Sequence, residues 1–235
     1  MADFTFLRSI TLFEDDNLIV MNKPAGLLAI EDGYHHELPN LRGLLNSTYK
    51  KIWAIHRLDK QTSGVILFAK NAETHRYINQ LFSERRVKKN YRAIVQGRPV
   101  WDKKTIELPL KINGDRKHRT VVDYHSGKNA ITNLEVINRK TSTSYLNLFP
   151  GTGYTHQIRA HLAAYGFPII GDRLYFKGCE FKSIKARKIP HNPNILFLHA
   201  YSIELPYPSS SEYIAFTSLM PHYFEPFYVN QDDSI

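Results

Sequence analysis

Apolar runs and alternations divide this chain into short segments of mixed type. Leu18 to Met21 is an apolar run halted by Asn22-Lys23-Pro24, the pattern of a strand that ends in a turn. Gly64 to Ala69 is β-branched and aromatic without alternation, as expected of a strand buried on both faces. Asn71 is placed to cap a helix that runs to about Glu84, with Tyr77, Ile78, Leu81 and Phe82 at helical spacing on one face. Residues 91–95, 120–124, 131–137 and 143–149 read as strands, the last with Tyr145, Asn147 and Phe149 on one side. Asn113-Gly114-Asp115 marks a turn within a basic loop, and Thr155 is placed to cap a second helix ending at Gly166 before Pro168. Beyond Pro190 the chain grows rich in Pro, Ser and aromatic residues, with strand character over 195–205. Runs of strands with few intervening helices predict an α+β fold around a largely antiparallel sheet. No repeat, low-complexity tract or Gly/Ser linker interrupts the pattern, so the reading is one domain over residues 1–229 with a disordered tail at 230–235.

Composition adds a charge argument. The 235 residues are 43% hydrophobic and 12% aromatic, enough for a sizeable core, and 31 Lys and Arg against 22 Asp and Glu give +9. That balance favours a polyanionic partner. The cations group at Arg85, Arg86, Lys88 and Lys89, at Arg116, Lys117 and Arg119, and at Lys182, Lys185, Arg187 and Lys188. Any one group reads as a solvated face, but two of them flank segments singled out by motif, which favours a phosphate-contacting role. The single cysteine, Cys179, rules out an intrachain disulfide and a cysteine-rich zinc site, which predicts an intracellular chain. The first residues carry Asp3, Asp15 and Asp16 and lack a secretory pattern, and no apolar run reaches membrane-spanning length. The expectation is a soluble, cytoplasmic protein with no membrane partner.

The candidate chemistry centres on His56-Arg57-Leu58-Asp59-Lys60-Gln61-Thr62-Ser63-Gly64, which puts one carboxylate among polar residues directly ahead of the predicted buried strand. Loops held by a rigid scaffold are where catalytic groups tend to sit. The segment resembles the signature of the RluA branch of the pseudouridine synthases, with Asp59 at the position of the catalytic aspartate. Asn22-Lys23-Pro24-Ala25-Gly26, Lys88-Lys89-Asn90-Tyr91-Arg92-Ala93, Thr155-His156-Gln157-Ile158-Arg159 with Gly171-Asp172, and Leu198-His199-Ala200 match the same branch in order. The resemblance runs from about Leu12 to Pro208. It implies a mixed sheet flanked by helices and loops around a cleft, and an RNA uridine isomerase that works without cofactor or metal. About twenty residues precede Asn22, so the RNA-binding domain that some members carry there is expected to be absent. A monomer that recognises transfer RNA or ribosomal RNA through its catalytic domain is the expectation.

Pseudouridine formation breaks the N1 to C1′ bond, turns the uracil and rejoins it through C5. A carboxylate serves this by attacking C1′, by stabilising an oxocarbenium-like state, or by taking a proton from C2′, and the sequence leaves the three open. In each case the acid must be ionised when the base leaves, and burial opposes that, so a cation is needed. The resemblance supplies Arg159, whose place near a helix start is itself unfavourable for a cation without a carboxylate partner. It also assigns Tyr91 to stacking on the uracil and removing the C5 proton, and Arg57 to holding the flipped-out nucleotide. His56 reads as a packing and hydrogen-bonding residue. Tyr154 stands where the family often has Arg, which puts phosphate contacts there in doubt. Two other classes compete: a catalytically inactive RNA-binding or RNA-chaperone protein that keeps the fold, and a nucleoside or glycoside hydrolase acting through Asp59.

Overall fold

The computed structural model describes residues 2–176, 195–207, 210 and 212–228. The expected tail at 230–235, Cys179 and the cations Lys182, Lys185, Arg187 and Lys188 lie outside the described residues. The chain divides into two compact units, one formed by Met1–Asn90 and His199–Leu219 and the other by Tyr91–Leu198 and Met220–Ile235. The unit boundaries carry no linker composition, which is the pattern that reads as one domain in the sequence. Those at 90/91 and 198/199 fall inside strands.

The first unit begins with α1 (Ala2–Ile10) and the antiparallel pair β1 (Thr11–Glu14) and β2 (Leu18–Lys23). α2 (Leu41–Thr48) is capped by the Asn40 side chain, which accepts from the Gly43 N–H at 2.8 Å. A short β3 (Trp53–Ala54) leads to β4 (Ser63–Ala69), every residue of which is buried. That matches the unbroken apolar run in the sequence. β4 pairs antiparallel with β2 and β3 and parallel with β11 (Leu198–Pro206), which pairs antiparallel with β12 (Tyr213–Thr217). α3 (Ala72–Ser83) follows β4, with the Asn71 side chain accepting from the Thr74 N–H at 2.8 Å, as the sequence predicts. Its Ile78 and Leu81 join Leu18, Val20, Val65, Leu67, Ile203 and Phe216 in the core of this unit.

The second unit carries an antiparallel sheet in the order β5, β10, β9, β6, from β5 (Lys88–Gln96), β6 (Lys103–Glu107), β9 (Ile131–Arg139) and β10 (Thr143–Pro150). A separate pair, β7 (Leu110–Lys111) and β8 (Val121–Val122), carries the basic loop 112–120 between its strands. The strand expected over 120–124 shrinks to two residues because the Asp123 carboxylate turns the chain, accepting the N–H groups of His125 and Ser126. Leu146 and Leu148 of β10 pack with Ile158 and Leu162 of α4 (Gln157–Ala164), and α5 (Glu225–Tyr228) brings Phe227 to the same core. The cap of α4 differs from the one expected. Its N-cap is His156, in the left-handed region at φ 55°, without a side-chain cap bond. Thr155 instead presents its carbonyl to the Thr120 hydroxyl at 2.6 Å, and the Gln157 side chain accepts the Tyr154 N–H at 3.2 Å.

Gly64 shows why the start of β4 admits one residue type. Its φ is +112°, and a Cβ there would collide with the Ala200 backbone of the neighbouring parallel strand. Gly64→Ala should therefore lower the unfolding free energy by about 3 kcal/mol or more, from strain at positive φ plus overpacking. Denaturant titration reads this directly, and a loss under about 1 kcal/mol would show that β11 moves aside at little cost.

Candidate active site

In the first unit the residues of interest stand on the loop between β3 and β4. The Thr62 N–H donates to the Asp59 carbonyl at 3.1 Å, closing a turn over Lys60 and Gln61. The outer side of that turn is held from β2. Lys23, the last residue of β2, is fully buried, and its Nζ donates to the carbonyls of Pro24 at 2.9 Å, Leu27 at 2.7 Å and Lys60 at 3.1 Å. The Gly26 N–H adds a second bond to the Lys60 carbonyl at 2.8 Å. The Asp59 turn and the turn after β2 are thereby locked to each other. Burial pulls the Lys23 pKa down to about 7, while the negative charge of Asp59 opposes that pull. Three carbonyl acceptors also match the three N–H groups of an ammonium, one more than a neutral amine offers.

His56 accepts the Leu67 N–H on Nε2 at 3.1 Å and lies 5.5 Å from the Phe82 ring. Burial lowers its pKa to about 3, with the nearby Lys89 charge acting in the same direction, so it is a neutral packing residue. Ser63 and His199 meet at 2.9 Å beneath the turn. Arg57 is exposed, and its charge reaches the Asp32 carboxylate, which the N–H groups of Tyr34 and His35 hold below the usual carboxylate range. Of the cations around Arg85, Arg85 and Arg86 are exposed, and Lys88, also exposed, pairs with Glu204 at 2.7 Å. Lys89 is partly buried, and burial lowers its pKa to about 8.

In the second unit Arg159, the third residue of α4, is nearly buried. Its Nε and Nη2 donate to the two oxygens of Asp172 at 2.8 and 2.9 Å, and its guanidinium lies 5.2 Å from the Tyr175 ring centre. Asp172 Oδ1 also accepts the N–H groups of Leu174 and Tyr175 at 3.0 and 3.1 Å. Gly171, at φ +80°, lets the chain pass against the Ile195 carbonyl just before this acid. Sequence reading named Asp59 as the carboxylate for Arg159. Within this unit the acid on its Nε edge is Asp172, a residue quoted in the motif without a role. A buried fork-to-fork pair of this kind fixes both the charge and the direction of the guanidinium.

Other neighbours of α4 are fully hydrogen-bonded. Gln157 receives the Thr152 hydroxyl at 2.7 Å and donates to the Ile131 carbonyl at 2.9 Å and Thr132 Oγ1 at 3.1 Å. Thr132 meets His161 Nδ1 at 2.9 Å, and His161 Nε2 donates to the Leu108 carbonyl at 3.0 Å, so both ring nitrogens are used. Tyr154 packs against Leu110, Ala130 and Ala160, which makes the family's usual Arg position a small core position here. Tyr91 of β5 shares a sheet face with its register partner Leu148 and is partly buried against the core. In the basic loop Arg116 and Lys117 are exposed. Arg119 is committed, donating to Asp115 at 2.6 Å and to the Leu174 carbonyl at 3.2 Å.

Comparison with known proteins places these arrangements. Residues 17–164, more than half of the chain, match the family model described as RNA pseudouridylate synthase. The dual-specificity RNA pseudouridine synthase RluA of Escherichia coli strain K12 is 34% identical over 206 residues, covering 87% of this chain and 94% of that protein. RluA of Pasteurella multocida is 33% identical over 205 residues, covering 87% and 90%. The solved structure of human RNA pseudouridylate synthase domain containing 4 aligns at a TM-score of 0.76 with 26% identity, over 94% of this chain and 92% of that one. The chain belongs to the RNA pseudouridylate synthase family, in its RluA-type branch. Its fold is the α+β pseudouridine synthase fold and its class is isomerase. Among the described residues no helix is long and apolar enough to cross a membrane.

Two substitutions test the two anchors. Lys23→Met should lower the unfolding free energy by about 2–4 kcal/mol, since the Pro24 and Leu27 carbonyls lose the donor that ties the two turns together. The pH dependence has a definite sign. With a folded pKa of about 7 against about 10.4 unfolded, the unfolded chain binds more protons between those values, so this group's contribution to stability rises from about pH 7 toward pH 10. Chemical denaturation across that range should show a flatter rise in the Met variant than in the wild type, and equal slopes would mean that Lys23 does not titrate there.

Asp172→Asn should cost about 3–5 kcal/mol of stability by removing the charged half of a nearly buried, two-point ion pair. A variant as stable as the wild type, by thermal melting in matched buffers, would mean that Arg159 finds an equivalent acceptor.

Proposed function

We propose that this chain isomerises uridine to pseudouridine within transfer RNA or ribosomal RNA, with Asp59 as the carboxylate that acts at the ribose. The observation that carries the assignment is the turn itself. Asp59 stands ahead of a wholly buried strand, on a turn fastened at its next residue by a buried lysine and a glycine N–H. That is a rigid mount for an acid, and catalytic groups need positions held to a fraction of an ångström.

Tyr91 is assigned to stacking on the uracil and to taking the proton from C5, Arg159 to stabilising the charge that builds as the base leaves, and Arg57 to holding the nucleotide out of its stack. These three roles rest on the family pattern. Exposed Arg116 and Lys117, with Arg85, Arg86 and Lys88, suit phosphate contacts that position RNA without reading its sequence. The isomerisation exchanges one ribose bond for another within a single nucleotide, so it consumes no electron donor or group donor.

Bulk RNA carrying tritium at uracil C5 tests the activity. The wild type should release tritium while chain length and base content stay constant. Asp59→Asn should abolish release, by at least roughly a thousandfold, while binding RNA within a few fold, because the amide keeps the shape and loses the reacting charge. Release of free base would instead make the protein a hydrolase, and binding without release would make it a chaperone.

A further inference from the structure

The loop between β2 and α2 carries features that the catalytic assignment leaves unused. Its ends are tied: Leu28 and Asn40 form a bridge, the Leu41 N–H donates to the Leu28 carbonyl at 2.8 Å, and the Arg42 N–H to the Ala29 carbonyl at 3.1 Å. Its tip is braced as well. Asp32 Oδ1 accepts the N–H groups of Tyr34 at 2.9 Å and His35 at 3.1 Å, the Leu38 N–H donates to the His35 carbonyl at 3.2 Å, and His36 meets Glu31 at 2.8 Å. On this built tip Tyr34 points into solvent, 86% exposed. An ordered loop that holds a large ring in water gains nothing from it in the folded chain, whereas a ring with two open faces is suited to stack on an unpaired base.

The loop is registered to the reactive turn. It leaves the segment whose Leu27 carbonyl accepts from Lys23, the same ammonium that holds Lys60 beside Asp59. Arg57, two residues before Asp59, is close enough for its charge to act on Asp32 at the tip. The tip is also chemically unlike the basic clusters. Glu31, Asp32 and Glu37 make it a poor surface for phosphate, but carboxylates accept well from the exocyclic amines of bases.

We infer that the loop from Leu28 to Asn40 reads the RNA bases beside the reacting uridine, with Tyr34 stacking on one of them. This rests on the isomerase reading given above, and it divides the labour: basic loops position the backbone, while this loop selects the sequence context.

The test uses the full chain and a short RNA stem-loop that contains a uridine modified by the wild type. Tyr34→Ala should raise KM by roughly 5- to 150-fold, the value of one base–aromatic stack, with a much smaller effect on kcat. Tyr34→Phe should restore the KM, because the ring face is kept. Pseudouridine mapping of total RNA treated with Tyr34→Ala should show relaxed preference at the positions flanking the modified uridine. An unchanged KM and an unchanged site profile in Tyr34→Ala would overturn the inference, as would equal losses in Ala and Phe variants. A Tyr34→Ala effect seen only in sedimentation would overturn it too, by making the loop a contact between copies. If the wild type itself releases no tritium from any RNA, it is the isomerase reading that fails.

Discussion

Keeping a charge ionised where water is scarce is the constraint on which both halves of this molecule depend. In the first unit the problem is Lys23, which has no solvent exposure and is held by three carbonyls with Asp59 nearby. In the second it is Arg159, held by both oxygens of Asp172, one of which, Oδ1, also accepts two backbone N–H groups. In each, the buried ion is satisfied by a loop that has no regular structure of its own. Electrostatics therefore does for these loops what ladder bonds do for strands. Removing the side chain takes the donors away from the loop, and moving the loop leaves those donors without acceptors.

Backbone freedom is spent where those loops meet the sheets. Gly64 and Gly171 both take positive φ against a neighbouring carbonyl, one at the end of the Asp59 turn and one directly before Asp172. His156 takes the left-handed region at the start of α4 without a cap bond, and its ring lies 3.3 Å from the Tyr175 hydroxyl. Burial raises the pKa of that hydroxyl to about 12, and it accepts the Thr120 N–H at 2.9 Å. The helix thus begins two residues before Arg159 in a geometry fixed by tertiary contacts, which sets the direction in which the guanidinium leaves the helix.

What the sequence made legible follows from how local each cause is. The buried run of β4 and the Asn71 cap of α3 depend on neighbours in the chain, and each stands where the pattern put it, whereas β2 runs on through Asn22 and Lys23, which the pattern reads as a turn. α2 was missed although Asn40, Leu41 and Leu45 carry its cap and buried face, because Gly43, Asn46 and Ser47 dilute the pattern. α1 was missed because Phe4 and Phe6 are exposed while Leu7 is buried, so its apolar residues do not mark one face. The Thr155 cap failed for a different reason: α4 starts one residue later, with His156 as its N-cap, and Thr155 is held through its carbonyl by the distant Thr120. The burial of Lys23 and the pairing of Asp172 with Arg159 lie beyond any local reading, since both are made by segments that meet only in the folded chain. The family signature marked both residues without saying what they hold.

Arg119 shows how this bears on the interpretation of binding data. It sits in a basic loop, yet it bridges Asp115 to the Leu174 carbonyl, two residues from the acid that holds Arg159. Its charge is thus a strut between an exposed loop and an interior pair. A loss of RNA affinity on replacing Arg119 would mix a missing phosphate attraction with a loosened Asp172 loop. Only a double-mutant cycle against Asp115 separates the two, because the strut's share then appears as coupling energy and the phosphate's share as the remainder.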